Sequence, residues 1–140
     1  MNYHYSVPGD DFSLAGNASS EIKKILQRLG IPAAVIKRTA VAMYEAEMNM
    51  VVHAGGGEAD ISIDEKYITI VMKDHGPGIV DIDLAMQDGY STAPRLVHDL
   101  GFGAGMGLPN MKRNSDEFSI ESIPAKGTTV TMKIKIPEAE

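Results

Sequence analysis

Glu45 and Asn49 stand one helical turn apart in an apolar stretch that ends at Gly55-Gly56-Gly57. With His53 they take positions i, i+4 and i+8, so a helix would carry all three on one face. A carboxylate one turn before a carboxamide suits metal–phosphate chemistry. The amide oxygen can ligate Mg²⁺, which prefers hard oxygen donors, and the carboxylate can accept a proton from an attacking hydroxyl or water. A solvated polar face is the more frequent meaning of such a pair, so the pair alone decides nothing.

Three further features lie downstream. Asp74-His75-Gly76-Pro77-Gly78-Ile79 places a carboxylate before glycines, where its oxygens can meet an exocyclic amine while the backbone passes close by. Read alone, it is turn chemistry. Gly101-Phe102-Gly103-Ala104-Gly105-Met106-Gly107-Leu108-Pro109 fits neither the dinucleotide fingerprint nor the P-loop. It reads as a glycine-rich loop feeding a helix with proline in its first turn, where free N–H groups suit phosphate. The competing reading is a flexible linker. Lys126-Gly127-Thr128-Thr129 opens the last strand, and a Gly-Thr turn is weak evidence by itself.

The elements that position these features follow from periodicity. Tyr3 to Val7 predicts a short edge strand closed by Pro8-Gly9, and residues Asn17 to Ser20 offer helix caps. Ile22, Ile25, Leu26 and Leu29 recur at helical spacing up to Gly30. A second helix follows Pro32, from about Ala33 to His53, with Met43, Ala46 and Met50 on the stripe that packs on a sheet; Glu47, on another face, reads as a solvated charge. Ala59, Ile61 and Ile63 alternate with Asp60, Ser62 and Asp64, and Tyr67 to Lys73 completes a hairpin. A short helix near Leu108 to Ser115 and strands at Glu117 to Ser122 and Thr128 to Ile136 end the chain. This order predicts a single α+β domain over residues 1–140: a two-layer sandwich with a mixed, mostly antiparallel sheet and helices on one face.

Bulk properties narrow the function. The chain has 140 residues, 44% hydrophobic and 23% charged, the profile of one globular domain. A formal charge of −6 with no basic face argues against duplex nucleic acid and anionic membrane as partners. Without cysteine, disulfides, thiolate metal sites and cysteine nucleophiles are excluded. The four histidines lie at no metal-ligand spacing, which argues against structural zinc. No basic region precedes an apolar run at the start, and the longest apolar region is broken by Glu45, Glu47 and Asn49. The expectation is a cytoplasmic protein.

Together and in this order, the four features resemble the motif boxes of the GHKL ATPases over about Ala15 to Ile136. Glu45-x-x-x-Asn49 resembles the N box, Asp74-x-Gly76-x-Gly78 the first glycine box, Gly103-x-Gly105-x-Gly107-Leu108 the second and Gly127-Thr128 the last. The runs Asp81 to Thr92 and Gly107 to Phe118 are similar to serine kinases of the RsbT type. Those kinases, with their RsbW and SpoIIAB relatives, phosphorylate a serine on small STAS-domain partners. The resemblance implies a Bergerat-type fold, ATP and Mg²⁺ as cofactors and a lid over about residues 79–106. It implies Glu45 as the catalytic base and Asn49 as the Mg²⁺ ligand. Asp74 would meet the adenine amino group directly and through a water shared with Thr128. Gly76 and Gly78 would admit the base, with Ile79 beside them. Gly103, Ala104, Gly105, Met106, Gly107 and Leu108 would surround the phosphates.

Departures from the pattern fall near the lid. His75 stands next to the adenine contact, residues Ala93 to Leu100 lengthen the lid, and Asn110 replaces a glycine after Pro109. Arg95 reads as a solvated loop arginine, with the γ-phosphate as its alternative partner. Two functions stay open: a serine-protein kinase acting on a small STAS-like or sigma-like regulatory partner, and an ATP-tuned partner-binding module with little transfer. The catalytic half of a histidine kinase fits less well, since His4 lies in no helical heptad. A homodimer is in keeping with the RsbW-type relatives.

Overall fold

The second hairpin strand is set in place by an aspartate. In the computed structural model, Asp64 Oδ1 accepts hydrogen bonds from the backbone N–H of Lys66 at 2.7 Å and Tyr67 at 2.8 Å. Such an Asx turn reverses the chain at little conformational cost. The N–H donors of Tyr67 and then Lys66 hold the Asp64 carboxyl below its ordinary range. The structure describes residues 1–9, 16–76, 107–123 and 125–138, with the side chains of Val52 and His53 excepted.

The hairpin belongs to a five-stranded sheet. Its strands are β1 (Asn2–Pro8), β2 (Gly56–Ile63), β3 (Tyr67–Asp74), β4 (Glu117–Ile123) and β5 (Gly127–Lys135), in the spatial order β1-β2-β3-β5-β4. Every pairing is antiparallel, so among the described residues the sheet is more uniform than the mixed one expected. Register explains the core. Ile61 lies opposite Ile70, and Ile70 opposite Met132, so alternate residues of neighbouring strands fall on one face. All three are almost fully buried, and each contributes about 1.5–3 kcal/mol of apolar burial. The other face carries His4, Asp60, Thr69 and Lys133 and stays wet, as one face of an antiparallel sheet commonly does.

Helices cover the apolar face. Helix α2 (Ala33–His53) crosses it, burying Met43, Ala46 and Met50 as their spacing predicts. Helix α1 (Asn17–Arg28) packs on one flank of α2, and the short helix α3 (Gly107–Arg113) on another. Gly30 ends α1 with φ 71°, donating to Gln27 O at 3.2 Å while Ile31 N donates to Leu26 O at 3.1 Å. This is the Schellman arrangement, which glycine enters without steric penalty. The start of α2 is tied across the layer: Arg38 Nη2 lies 3.3 Å from Asp116 Oδ2, which also accepts the N–H of Lys135 at 2.6 Å.

Two expectations need correction. Residues Asn17 to Ser20 are not caps but lie inside α1, whose N-cap Gly16 has no side-chain cap bond. Glu47 is no solvated charge: it is 1% exposed and caps α1 from the neighbouring helix. Its Oε2 accepts from Gly16 N at 2.9 Å and Ala18 N at 3.2 Å, and its Oε1 from Ser19 N at 3.0 Å and Ser19 Oγ at 2.8 Å. At about 100° per residue, Glu47 points roughly 200° around α2 from Glu45, onto the side that α1 covers. A carboxylate at a helix N-terminus satisfies orphan donors and suits the helix dipole.

Candidate functional site

Fixing α2 against α1 turns Glu45 and Asn49 toward the opposite flank, where α3 lies. Leu108 and Met111 anchor α3 by burying their side chains in the core, 6% and 0% exposed. Asn110, between them, is half-buried and donates from Nδ2 to Glu45 Oε1 at 3.3 Å. Glu45 is thus a half-buried carboxylate with one oxygen engaged. Asn49, one turn on, is half-buried and makes no hydrogen bond with its carboxamide among the described residues.

The other end of the site is built where β3 meets β5. Asp74 Oδ1 accepts from Gly76 N at 3.0 Å and from Thr128 N at 3.1 Å. Its Oδ2 has no hydrogen-bond partner among the described residues, which leaves an oriented acceptor. Asp74 and Thr128 are thus in direct contact through the Thr128 N–H. Thr128 is 8% exposed, and its hydroxyl lies 2.8 Å from the Ser122 hydroxyl on β4. Ser122 escaped the sequence reading because register alone places it opposite Thr128.

Glycine is demanded at two points around Asp74. A Cβ on Gly76 would lie 2.6 Å from both Cα and Cβ of Ala54, where α2 ends. Gly127 has φ 137°, and a Cβ there would sit 2.2 Å from Asp74 O. Both glycines therefore bring backbone segments into direct contact. The first contact fixes the Asp74 turn at the C-terminal end of the helix that carries Asn49 and Glu45. From Ala54 back to Glu45, nine residues at 1.5 Å rise span about 13 Å, the scale of an extended nucleoside triphosphate.

Gly107 opens α3 and Leu108 is buried within it. Gly78, Ile79, Gly103, Ala104, Gly105 and Met106 lie outside the described residues, as do the rest of the lid and Arg95. A cleft of about 380 Å³ lies elsewhere, lined by Tyr5, Ser6, Pro8, Asn17 and Glu47 among others. Beside it, Glu47 takes the N–H groups of Gly16, Ala18 and Ser19. No described helix is long and apolar enough to cross a membrane.

An oriented acceptor at Asp74, a carboxylate–carboxamide face on α2 and a short glycine-led helix beside it thus come together at one side of the domain. Residues 10–134 match the family model for the histidine kinase-like ATPase domain, and the chain belongs to that family. Its relatives place it on the anti-sigma kinase branch of ATP-using domains. It is 34% identical to the serine/threonine-protein kinase RsbT of Bacillus subtilis (strain 168) over 112 residues, covering 77% of this chain and 78% of that one. It is 36% identical to the anti-sigma F factor of Clostridium novyi (strain NT) over 105 residues, covering 71% and 70%.

Solved structures agree on the fold. The chain superposes on the RsbU and RsbW domains of a Mycobacterium tuberculosis protein with a TM-score of 0.65 at 16% identity, covering 99% of this chain and 34% of that longer one. A second match is a chain of the SiaB-SiaC complex from Pseudomonas aeruginosa, with a TM-score of 0.63 at 12% identity, covering 94% and 88%.

Proposed function

We propose that this chain is a regulatory protein kinase that transfers the γ-phosphoryl group of ATP to a serine on a small STAS-like partner protein. The observation that carries the reading is the single line of groups along α2: the Asp74–Gly76 turn seated on Ala54, then Asn49, then Glu45. Asp74 Oδ2 would accept the adenine amino group, and the engaged Oδ1 fixes its direction. The Asn49 carboxamide oxygen would ligate Mg²⁺, a fit supported by its uncommitted, half-buried position one turn from the carboxylate. Bound there, Mg²⁺ would neutralise charge on the phosphates. Glu45 would take the proton of the attacking serine hydroxyl. Gly103, Ala104, Gly105, Met106 and Gly107 would surround the phosphates, with Gly78 and Ile79 beside the base.

The test mixes the protein with γ-labelled ATP and a STAS-domain candidate encoded beside its gene. Acid-stable phosphoserine on the partner supports the kinase. Label lost in acid would point to phosphohistidine instead and sink the serine reading. A second reading draws support from the anti-sigma F factor relatives: ATP tunes partner affinity with little transfer. Tight, nucleotide-dependent binding with no label on the partner would favour it.

A further inference from the structure

Asn110 stands where the kinase pattern has glycine, and it is not an idle replacement. Its Nδ2 is 3.3 Å from Glu45 Oε1, and its Oδ1 accepts from Arg113 Nη1 at 3.1 Å, one turn along α3. A guanidinium carries donors only, so the amide oxygen must face Arg113. That leaves the NH₂ group, the only donor end, facing the carboxylate. The orientation of the carboxamide is therefore fixed by its two partners.

We propose that Asn110, oriented by Arg113, is a positioning residue that holds the Glu45 carboxylate in place. The inference rests on the reading of Glu45 as the base. Holding Oε1 restricts a long, otherwise rotatable side chain and leaves Oε2 directed to the reacting hydroxyl. Leu108 and Met111 make the device rigid, because both neighbours of the Pro109-Asn110 pair are locked in the core. Asparagine is a poor helix former, and this contact gives it a reason to be in α3. A bond of this kind contributes on the order of 1 kcal/mol when its acceptor reacts, about fivefold to tenfold in rate.

The experiment measures phosphotransfer and ATP affinity for wild type, N110L, N110D and R113M, alone and combined with E45Q. N110L keeps volume but removes the donor. The expected results are kcat lowered about tenfold for N110L with KM for ATP within twofold of wild type. N110D, which sets carboxylate against carboxylate, should lose more, and R113M less. In the E45Q background N110L should have no further effect. If N110L fails to fold, R113M carries the same prediction at smaller size. Unchanged kcat in both variants overturns the proposal, as does an equal loss in the E45Q background. If wild type binds ATP but transfers nothing, the kinase reading fails and the positioning is read instead from the Asn110 side-chain ¹⁵N–¹H signals. E45Q should move those signals and E58Q, on the far strand, should not; signals indifferent to E45Q overturn the positioning.

Discussion

Helix α2 carries two glutamates two residues apart, and its two flanks treat them oppositely. On the α1 flank Glu47 is buried and receives four hydrogen bonds, three from backbone N–H groups. On the α3 flank Glu45 is half-buried and, among the described residues, receives one, from a side chain at 3.3 Å. A carboxylate saturated by fixed donors is structural: it closes a helix end and sets the rotation of α2. A carboxylate with an oxygen to spare is open to chemistry. The first makes the second useful, because the rotation of α2 decides which way Glu45 faces.

Removing Glu47 gives the largest expected effect on stability. E47L leaves the Gly16, Ala18 and Ser19 donors without their partner, and should cost about 3–5 kcal/mol, measured by urea denaturation. A cost under about 0.5 kcal/mol would mean that water or another group takes over the cap. E45Q should reverse the pattern. Its unfolding free energy should stay within about 0.5 kcal/mol of wild type, while phosphotransfer falls by roughly 10²–10⁴-fold.

Asp74 lies between these extremes, since it ties Thr128 and Gly76 together and, in the proposed function, faces the ligand. D74A should cost about 1–2 kcal/mol through the lost Thr128 and Gly76 bonds and should abolish ATP binding by calorimetry. Stability lost with affinity intact would move the adenine contact elsewhere.

The smallest effect belongs to the wet face of the sheet. The His4 imidazole lies 2.7 Å from Asp60 Oδ1, and this hydrogen bond, opposed by slight desolvation and helped by the Asp60 and Glu58 charges, raises its pKa above 6.5. A raised folded-state value stabilises fully below pH 6.5, and that contribution fades as pH rises through the folded value. Wild type should therefore lose a small part of its margin over H4Q between about pH 6 and 8. An unchanged difference in melting temperature over that range would remove His4 from the account.

Local signals carried much of this to view in the sequence. Pro32 and Gly55-Gly56-Gly57 bracket α2 at the boundaries the helix adopts, and alternation marks the buried faces of β2 and β5. Asp74 at a strand end before glycines was legible for the same reason. Glu47 was not, because its partners are main-chain donors 28 to 31 residues away, and backbone N–H groups leave no mark in side-chain type. The Asn17–Ser20 cap chemistry was real in composition, yet a carboxylate from the next helix took the role. The Asn110–Glu45 contact spans 65 residues and depends on how α3 docks, which Leu108 and Met111 decide only in three dimensions.

In the proposed function, α2 aligns one nucleotide from the Asp74 turn to Glu45. Its most direct measurement is a paired assay of E45Q: ATP·Mg affinity by calorimetry and γ-phosphoryl transfer to the partner serine. Affinity within about threefold of wild type with transfer lost is the predicted result. Transfer that persists undiminished in E45Q, with affinity intact, would contradict it.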